Sequence, residues 1–395
     1  MLATIRQIHD SGHCGVLAIT GGGSGALSDL LTVPGASRSI LEALVPYSRP
    51  SLGAFLGAVP AQACSQHTAR SMAMAAFWRA IRWSHANSPV ENDEPSVTQH
   101  LSWAMALWGV AGTASLATDR PKRGEHRFHV ACQTHDTTQA WSVTLQKDRR
   151  TRAEEERLVA DFLLVAVAEG CRVPRPELPK LQQNEIVQHI CQTAQPEWRA
   201  VVLGESAAVR CTGSTVNCLP DRSERLLFPG AFHPLHEGHR RMAQWAATHL
   251  GKPVEFEISV RNVDKPPLDY VEIRERLEQF TRDQPVWLTN APTFVEKARL
   301  FPGATFIVGA DTLVRIADPK YYGNREAYQA ALEELVEKDC RFLVFGRHVG
   351  DQFQTLDDLL LPAPLRRRCE GVPASEFRCD ISSTEIRARQ HIMEE

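Results

Sequence analysis

The segment from Leu226 to His239 constrains this chain more than any other. Leu226-Leu227-Phe228 is a short apolar run with strand character, Pro229-Gly230 ends it, and a helical pattern starts at Glu237. A strand that turns at once into a helix is the unit of an α/β layer domain, and it aims the helix's unpaired N–H groups at whatever lies beyond the strand end. The alternation continues with strand-like runs at Pro253 to Val260, Thr305 to Val308 and Phe342 to Phe345. Strands and helices in turn predict a parallel sheet, with ligands beyond the carboxyl ends of its strands.

A second stretch, Gly15 to about Gly170, alternates in the same way, with helical patterns such as Thr68 to Arg79. Its last element is a helix over Arg152 to Glu169, whose Glu154, Glu155 and Glu156 suit a helix N-terminus. Between the two stretches lie Pro174, Pro176, Pro179, Pro196 and Pro220, with a short strand-like run at Ala200 to Leu203. The expected organisation is two α/β domains, 1–170 and 225–395, joined by a connector over 171–224. A length of 395 residues accommodates two or three domains.

Composition narrows the function classes. Hydrophobic residues are 43% and charged residues 23%, the balance of an ordinary globular protein, which excludes overall disorder and fibrous architectures. A formal charge of -3 offers no overall attraction to a nucleic-acid backbone or an anionic membrane. The start, Met-Leu-Ala-Thr-Ile-Arg-Gln-Ile-His-Asp, lacks a basic region followed by an unbroken apolar one, and no run reaches the roughly 18 apolar residues of a membrane span. The ten cysteines contain no C-x-x-C pair, so reduced thiols in a cytoplasmic location are expected.

Chemistry concentrates after the Leu226 strand. Gly230-Ala-Phe-His-Pro-Leu-His-Glu-Gly-His239 places His236 and His239 three apart at a helix start, where two imidazoles and free N–H groups can share in holding phosphates. A metal site from His233, His236 and His239 is the competing reading, without H-E-x-x-H spacing or a cysteine pair to support it. Gly230 and Gly238 permit close backbone approach. Lys265 follows a strand end and can reach a substrate phosphate, while Gly309 and Asp311 end the strand Phe306-Ile-Val and suit a ribose hydroxyl. Ser382 and Glu385 have capping-box spacing and mark a second helix start, with Ser383, Thr384 and Arg387 beside it as an anion cradle.

Residues from about Leu226 to Arg389 resemble the nucleotidyltransferase superfamily with the H-x-G-H motif, specifically the nicotinamide or nicotinate mononucleotide adenylyltransferases. The resemblance rests on Gly230, Phe232, Pro234, His236, Gly238 and His239, on Gly309 to Asp311, and on Ile381 to Arg387 read as I-S-S-T-x-I-R. It implies a Rossmann-like fold and attack of a mononucleotide phosphate on the α-phosphorus of ATP, with Mg²⁺, releasing pyrophosphate. It also implies that His236, His239, Arg387 and the N–H groups of Ser382, Ser383 and Thr384 hold ATP phosphates. Gly230, Phe232 and Gly238 belong to the same ATP motif, Gly309 and Asp311 hold the nucleoside, and Lys265 faces the acceptor phosphate. The family commonly stacks an aromatic on the pyridine ring after the G-A-D helix, which makes Tyr321 or Tyr322 the candidate here. The partners so implied are ATP and a pyridine mononucleotide, without nucleic acid or membrane, and a homo-oligomer is left open. Phosphopantetheine or another phosphate monoester is the alternative acceptor, and a non-catalytic nucleotide-binding protein the alternative class.

Residues from about Gly15 to Glu169 resemble the C-terminal domain of CinA, the nicotinamide-nucleotide amidohydrolase family. The matching pieces are Thr20-Gly-Gly22, Val33-Pro-Gly-Ala-Ser37, Pro46-Tyr-Ser48 and Gly109-Val-Ala-Gly112. The family's serine nucleophile falls on Ala18 and its lysine on Leu52, while Tyr47 is kept, so the resemblance implies a domain without amide hydrolysis. The run Gly21-Gly-Gly-Ser-Gly25 is either a plain turn or a backbone concavity that binds phosphate.

Overall fold

The computed structural model describes residues 1–86, 104–120, 122–211, 224–262, 267–349, 352–379, 381, 383 and 386. The chain forms two compact units: Met1–Glu205 with Asp264–Glu272, and Ser206–Val263 with Ile273–Glu395.

The first unit has helices α1 (Leu2–Asp10), α2 (Ser24–Thr32), α3 (Arg49–Leu56), α4 (Gln66–Ala86), α5 (Arg152–Gly170) and α6 (Pro196–Val202). Its strands are β1 (Cys14–Thr20), β2 (Ile40–Leu44), β3 (Leu107–Ser115), β4 (His126–Thr134), β5 (Thr137–Leu145) and β6 (Gln188–Thr193), in the order β2-β1-β3-β4-β5-β6. β1 is parallel to β2 and β3, whereas β3 to β6 pair antiparallel. The helix expected from Arg152 begins there because Thr151 and Glu154 cap each other reciprocally. It is buried nearly all round, which explains its weak amphipathic pattern.

The proposed connector needs correction. Gln188–Thr193 is an edge strand of the first sheet, paired with β5 from Ser142 to Thr137. The strand-like run at Ala200 to Leu203 is instead mostly helix, because Pro196 at its first position and an extended Gln195 before it start a helical turn. The chain after 225 is likewise not all one unit, since Asp264–Glu272 packs within the first. There Asp269 lies 3.3 Å from Arg70, and the Tyr270 hydroxyl donates to the carbonyl of His135.

The second unit has strands β7 (Ala208–Arg210), β8 (Leu226–Pro229), β9 (Val254–Ser259), β10 (Val286–Thr289), β11 (Thr305–Gly309), β12 (Arg341–Phe345), β13 (Arg347–Val349), β14 (Gln352–Gln354) and β15 (Cys369–Gly371). The main sheet runs β15-β12-β11-β8-β9-β10-β7 and is parallel except for the antiparallel edge strand β7. Helices α7 (Glu237–Leu250), α8 (Tyr270–Leu277), α9 (Phe294–Leu300), α10 (Ala310–Ile316), α11 (Arg325–Glu337) and α12 (Ala363–Arg366) alternate with the strands, α8 starting in the first unit.

Strand side chains alternate between faces, so Leu227, Trp287, Phe306, Val308, Phe342 and Val344 share one face and pack on Val295, Leu313, Leu332 and Leu335 of the covering helices. The first of the parallel strands, β8, sits between β9 and β11, and successive crossovers leave it in opposite directions. At such a reversal α/β sheets take their ligands, in the crevice beyond the carboxyl ends of the strands, here those of β8 and β11.

Candidate active site

β8 delivers the His236 and His239 segment to that crevice. His236 is the extended N-cap of α7 and His239 lies one turn in, so the rings stack with centroids 3.6 Å apart. The backbone N–H of His236 donates to His239 Nδ1 at 3.3 Å, which assigns the ring proton of His239 to Nε2. His236 is buried, and neither of its ring nitrogens has a hydrogen-bond partner. Unpaired polar atoms in a buried position at a helix N-terminus favour an anionic ligand.

Both rings are uncharged at neutral pH. Burial lowers the pKa of His239 to about 3, with smaller contributions from His236 and Arg347, and burial followed by Arg347 lowers that of His236. The pair therefore offers neutral N–H donors rather than fixed cations.

The residues Cys379 and Ser383 meet this turn, and Gly309 and Asp311 are linked to it through Arg347. The Ser383 hydroxyl donates to the carbonyl of Pro234 at 3.2 Å, which sets Ser383 against the histidine loop. A Cβ on Gly238 would lie 3.0 Å from Cys379 Sγ and from the His236 ring, so Gly238 allows the segment before Ile381 to cross the start of α7. Gly309 ends β11 as the N-cap of α10, and Asp311 lies in the first turn with its carboxylate half exposed.

Arg347, which nothing in the local sequence distinguishes, joins them. Its Nη1 donates to the carbonyl of Ile381 at 3.0 Å, and its Nε lies 3.7 Å from Asp311 Oδ1. Its only sequence signal is position, two residues beyond the carboxyl end of the inner strand β12.

Several expected roles change. Phe232 is 1% exposed, with its ring edge-on to Phe228, Phe256, Phe280 and His239, so its side chain supports the histidine from behind rather than touching ATP. Its backbone is held at φ 42°, uncommon for a non-glycine residue. The bare face of Gly230 is covered by that same ring, 2.6 Å from where a Cβ would sit. Tyr322 is committed to packing, with its hydroxyl donating to the carbonyl of Ile316 and its ring against Tyr328, which leaves Tyr321, partly buried with the Lys320 ammonium over its ring, as the candidate aromatic. Lys265, Ser382, Thr384 and Arg387 lie outside the described residues. Among the described residues, no three His, Cys, Asp or Glu side chains are grouped to hold a metal ion, the nine described cysteines are free, and no helix is long and apolar enough to cross a membrane.

In the first unit, Ala18 is fully buried and packs with Leu52, Leu56, Met72 and Ala111 in an apolar cluster. Tyr47 is 66% exposed. The glycine run is occupied by the chain itself: Glu156 accepts from the Ser24 N–H at 2.5 Å and from its hydroxyl at 2.7 Å. Burial raises the pKa of Glu156, but the bonds from Ser24 and the Gly23 N–H outweigh it and leave the carboxyl below its ordinary range. A carboxylate thus fills the place an incoming phosphate would need, and Ser24 is engaged as its donor.

A parallel sheet whose strand order reverses at β8, a histidine pair on the α7 N-terminus and Ser383 bonded to the histidine loop are features of a nucleotidyltransferase domain. Residues 227–389 match the model of the cytidylyltransferase-like family. No curated protein matches the sequence. Solved structures similar to the chain include the competence/damage inducible protein CihA from Agrobacterium tumefaciens, at 17% identity over 43% of this chain and 91% of that one, with a TM-score of 0.29. Another is a competence-damaged protein (CinA) superfamily protein from Escherichia coli, at 15% identity over 43% of this chain and 83% of that one, with a TM-score of 0.27.

Proposed function

We propose that the second unit transfers the adenylyl group of ATP to nicotinamide or nicotinate mononucleotide, forming the dinucleotide and releasing pyrophosphate. The observation that carries this reading is the stacked, uncharged histidine pair at the N-terminus of α7, with the Ser383 segment bonded to its loop. ATP enters as its Mg²⁺ complex, the metal held by the triphosphate oxygens.

Little covalent work falls to the protein. The mononucleotide phosphate attacks the α-phosphorus, the bond to the bridging oxygen breaks, and pyrophosphate leaves with the electron pair. Rate comes from holding the two phosphates in line and from N–H donors aimed at charge that grows on the phosphoryl oxygens. His239 Nε2 and the His236 ring supply such donors, and Asp311 is placed for a ribose hydroxyl. The preference for a pyridine mononucleotide rests on the I-S-S-T-x-I-R resemblance and on Tyr321 as the stacking aromatic.

The test is pyrophosphate release by the full chain with ATP and Mg²⁺, offered nicotinamide mononucleotide, nicotinate mononucleotide and phosphopantetheine separately. Release with a pyridine mononucleotide and a matching dinucleotide product is expected. Release with phosphopantetheine alone would transfer the reading to that acceptor, and silence with all three would remove it.

The first unit is proposed to carry no amidohydrolase activity. Ala18 offers no nucleophile and is sealed from solvent by Leu52 and its neighbours. Incubation with nicotinamide mononucleotide is expected to release no ammonia above the buffer rate, and steady ammonia production would contradict this.

A further inference from the structure

Arg347 opens β13, a short strand paired only with β14, yet its side chain is fixed by residues far away in sequence. One anchor is the carbonyl of Ile381, to which Nη1 donates at 3.0 Å, and another is Asp311, 3.7 Å from Nε. The stem covers Gly309, where a Cβ would lie 3.2 Å from Arg347 Cγ and 3.3 Å from its Nε. The Arg347 side chain is 26% exposed and the Asp311 side chain 48%. The positive charge of Arg347 is felt at both His236 and His239.

These contacts converge on Asp311, which the proposed function places for a ribose hydroxyl, and on Ile381, two residues before the Ser383 that bonds to the histidine loop. Arginine suits such a bridge because its planar fork serves two acceptors at fixed angles, whereas a lysine ammonium on a flexible stem serves as a point charge. We infer that Arg347 is a positioning residue for ATP, tying Asp311 to the Ile381 carbonyl so that the start of α10 keeps one separation from the backbone that leads to Ser383. The inference rests on the nucleotidyltransferase reading and adds a residue to it.

The experiment compares the full chain with Arg347→Ala and Arg347→Lys, measuring kcat, KM for ATP, KM for the acceptor and the thermal midpoint without nucleotide. Arg347→Ala is expected to raise the KM for ATP at least about tenfold with the acceptor KM within about threefold of the parent, and Arg347→Lys to recover part of the loss. An unchanged ATP KM, or equal loss for both substrates together with a lowered midpoint, would overturn it, the latter meaning that Arg347 merely holds the unit together. Calorimetric ATP binding separates this from failure of the function itself. If the parent binds ATP but turns over no acceptor, weaker ATP binding by Arg347→Ala still supports the inference, and equal binding overturns it. A parent that binds no ATP overturns both.

Discussion

Replacing His239 by alanine is expected to lower turnover at least about tenfold, and by as much as about a thousandfold if its N–H meets charge that develops only in the transition state. The structure favours the larger end, because the ring is held on three sides. His236 stacks on it, Phe232 and Phe228 meet it edge-on, and its Nδ1 is already committed to the His236 backbone. Only Nε2 is left to donate, in a fixed direction. Asparagine at 239 should restore part of the rate by returning a donor. His236→Ala gives the cleaner comparison, since neither nitrogen of that ring is bonded to the protein. Turnover of His239→Ala equal to the parent, with the fold intact by circular dichroism, would remove the residue from the mechanism.

The pH dependence follows with a definite sign. His239 is held at about 3 in the folded chain against an unfolded value near 6.5, so between these limits the unfolded state binds more protons. Its contribution to stability is therefore lost as the pH falls from 6.5 toward 3, and is unaffected above 6.5. Any acid limb that this ring sets in kcat/KM should lie below the ordinary imidazole range.

Lys297→Met is expected to destabilise the second unit by about 3 to 5 kcal/mol. Lys297 is 5% exposed and Glu257 1%, with Nζ 2.7 Å from Glu257 Oε1. The same ammonium donates to the carbonyl of Ala291 at 2.7 Å, and Thr289 donates to the same carboxylate oxygen. Methionine fills much of the space but leaves a buried carboxylate without its cation, and Glu257 Oε2 already lacks a partner. The penalty is that of stranding a charge, not the worth of the pair, so Lys297→Met with Glu257→Gln should regain most of the loss. Denaturant unfolding is the measurement, following the transition of this unit separately because a chain of two units need not unfold in one step. A single variant within about 1 kcal/mol of the parent would show the carboxylate to be adequately solvated as it stands.

Local chemistry was legible in the sequence wherever neighbours along the chain decide the structure. Gly251 in a left-handed conformation ends α7, Met242 and Ala246 give it one buried face, and its start at Glu237 follows from an extended residue before a helical pattern. β8, β9, β11 and β12 were readable as apolar runs between turn residues, each within about two residues of its observed limits. The histidine pair was readable for the same reason, since positions three apart share a helix face whatever surrounds them. β6 was not readable: Gln188–Thr193 is an edge strand with a mostly exposed, polar surface, so it carries no apolar run and gains its state from pairing with β5.

The sequence by itself determined two α/β units, the helix start that bears His236 and His239, and a first unit with alanine and leucine at the positions the amidohydrolase resemblance assigns to chemistry. Tertiary structure alone decided which side chains meet. It put Glu156 into the Gly21–Ser24 turn across 132 residues, turned Phe232 inward behind His239, and brought Arg347 to Asp311 and Ile381. The physical reason is that propensity and periodicity act over one or two turns of chain. Partners separated by tens of residues are set by strand order and by packing, and neither leaves a mark on the local pattern.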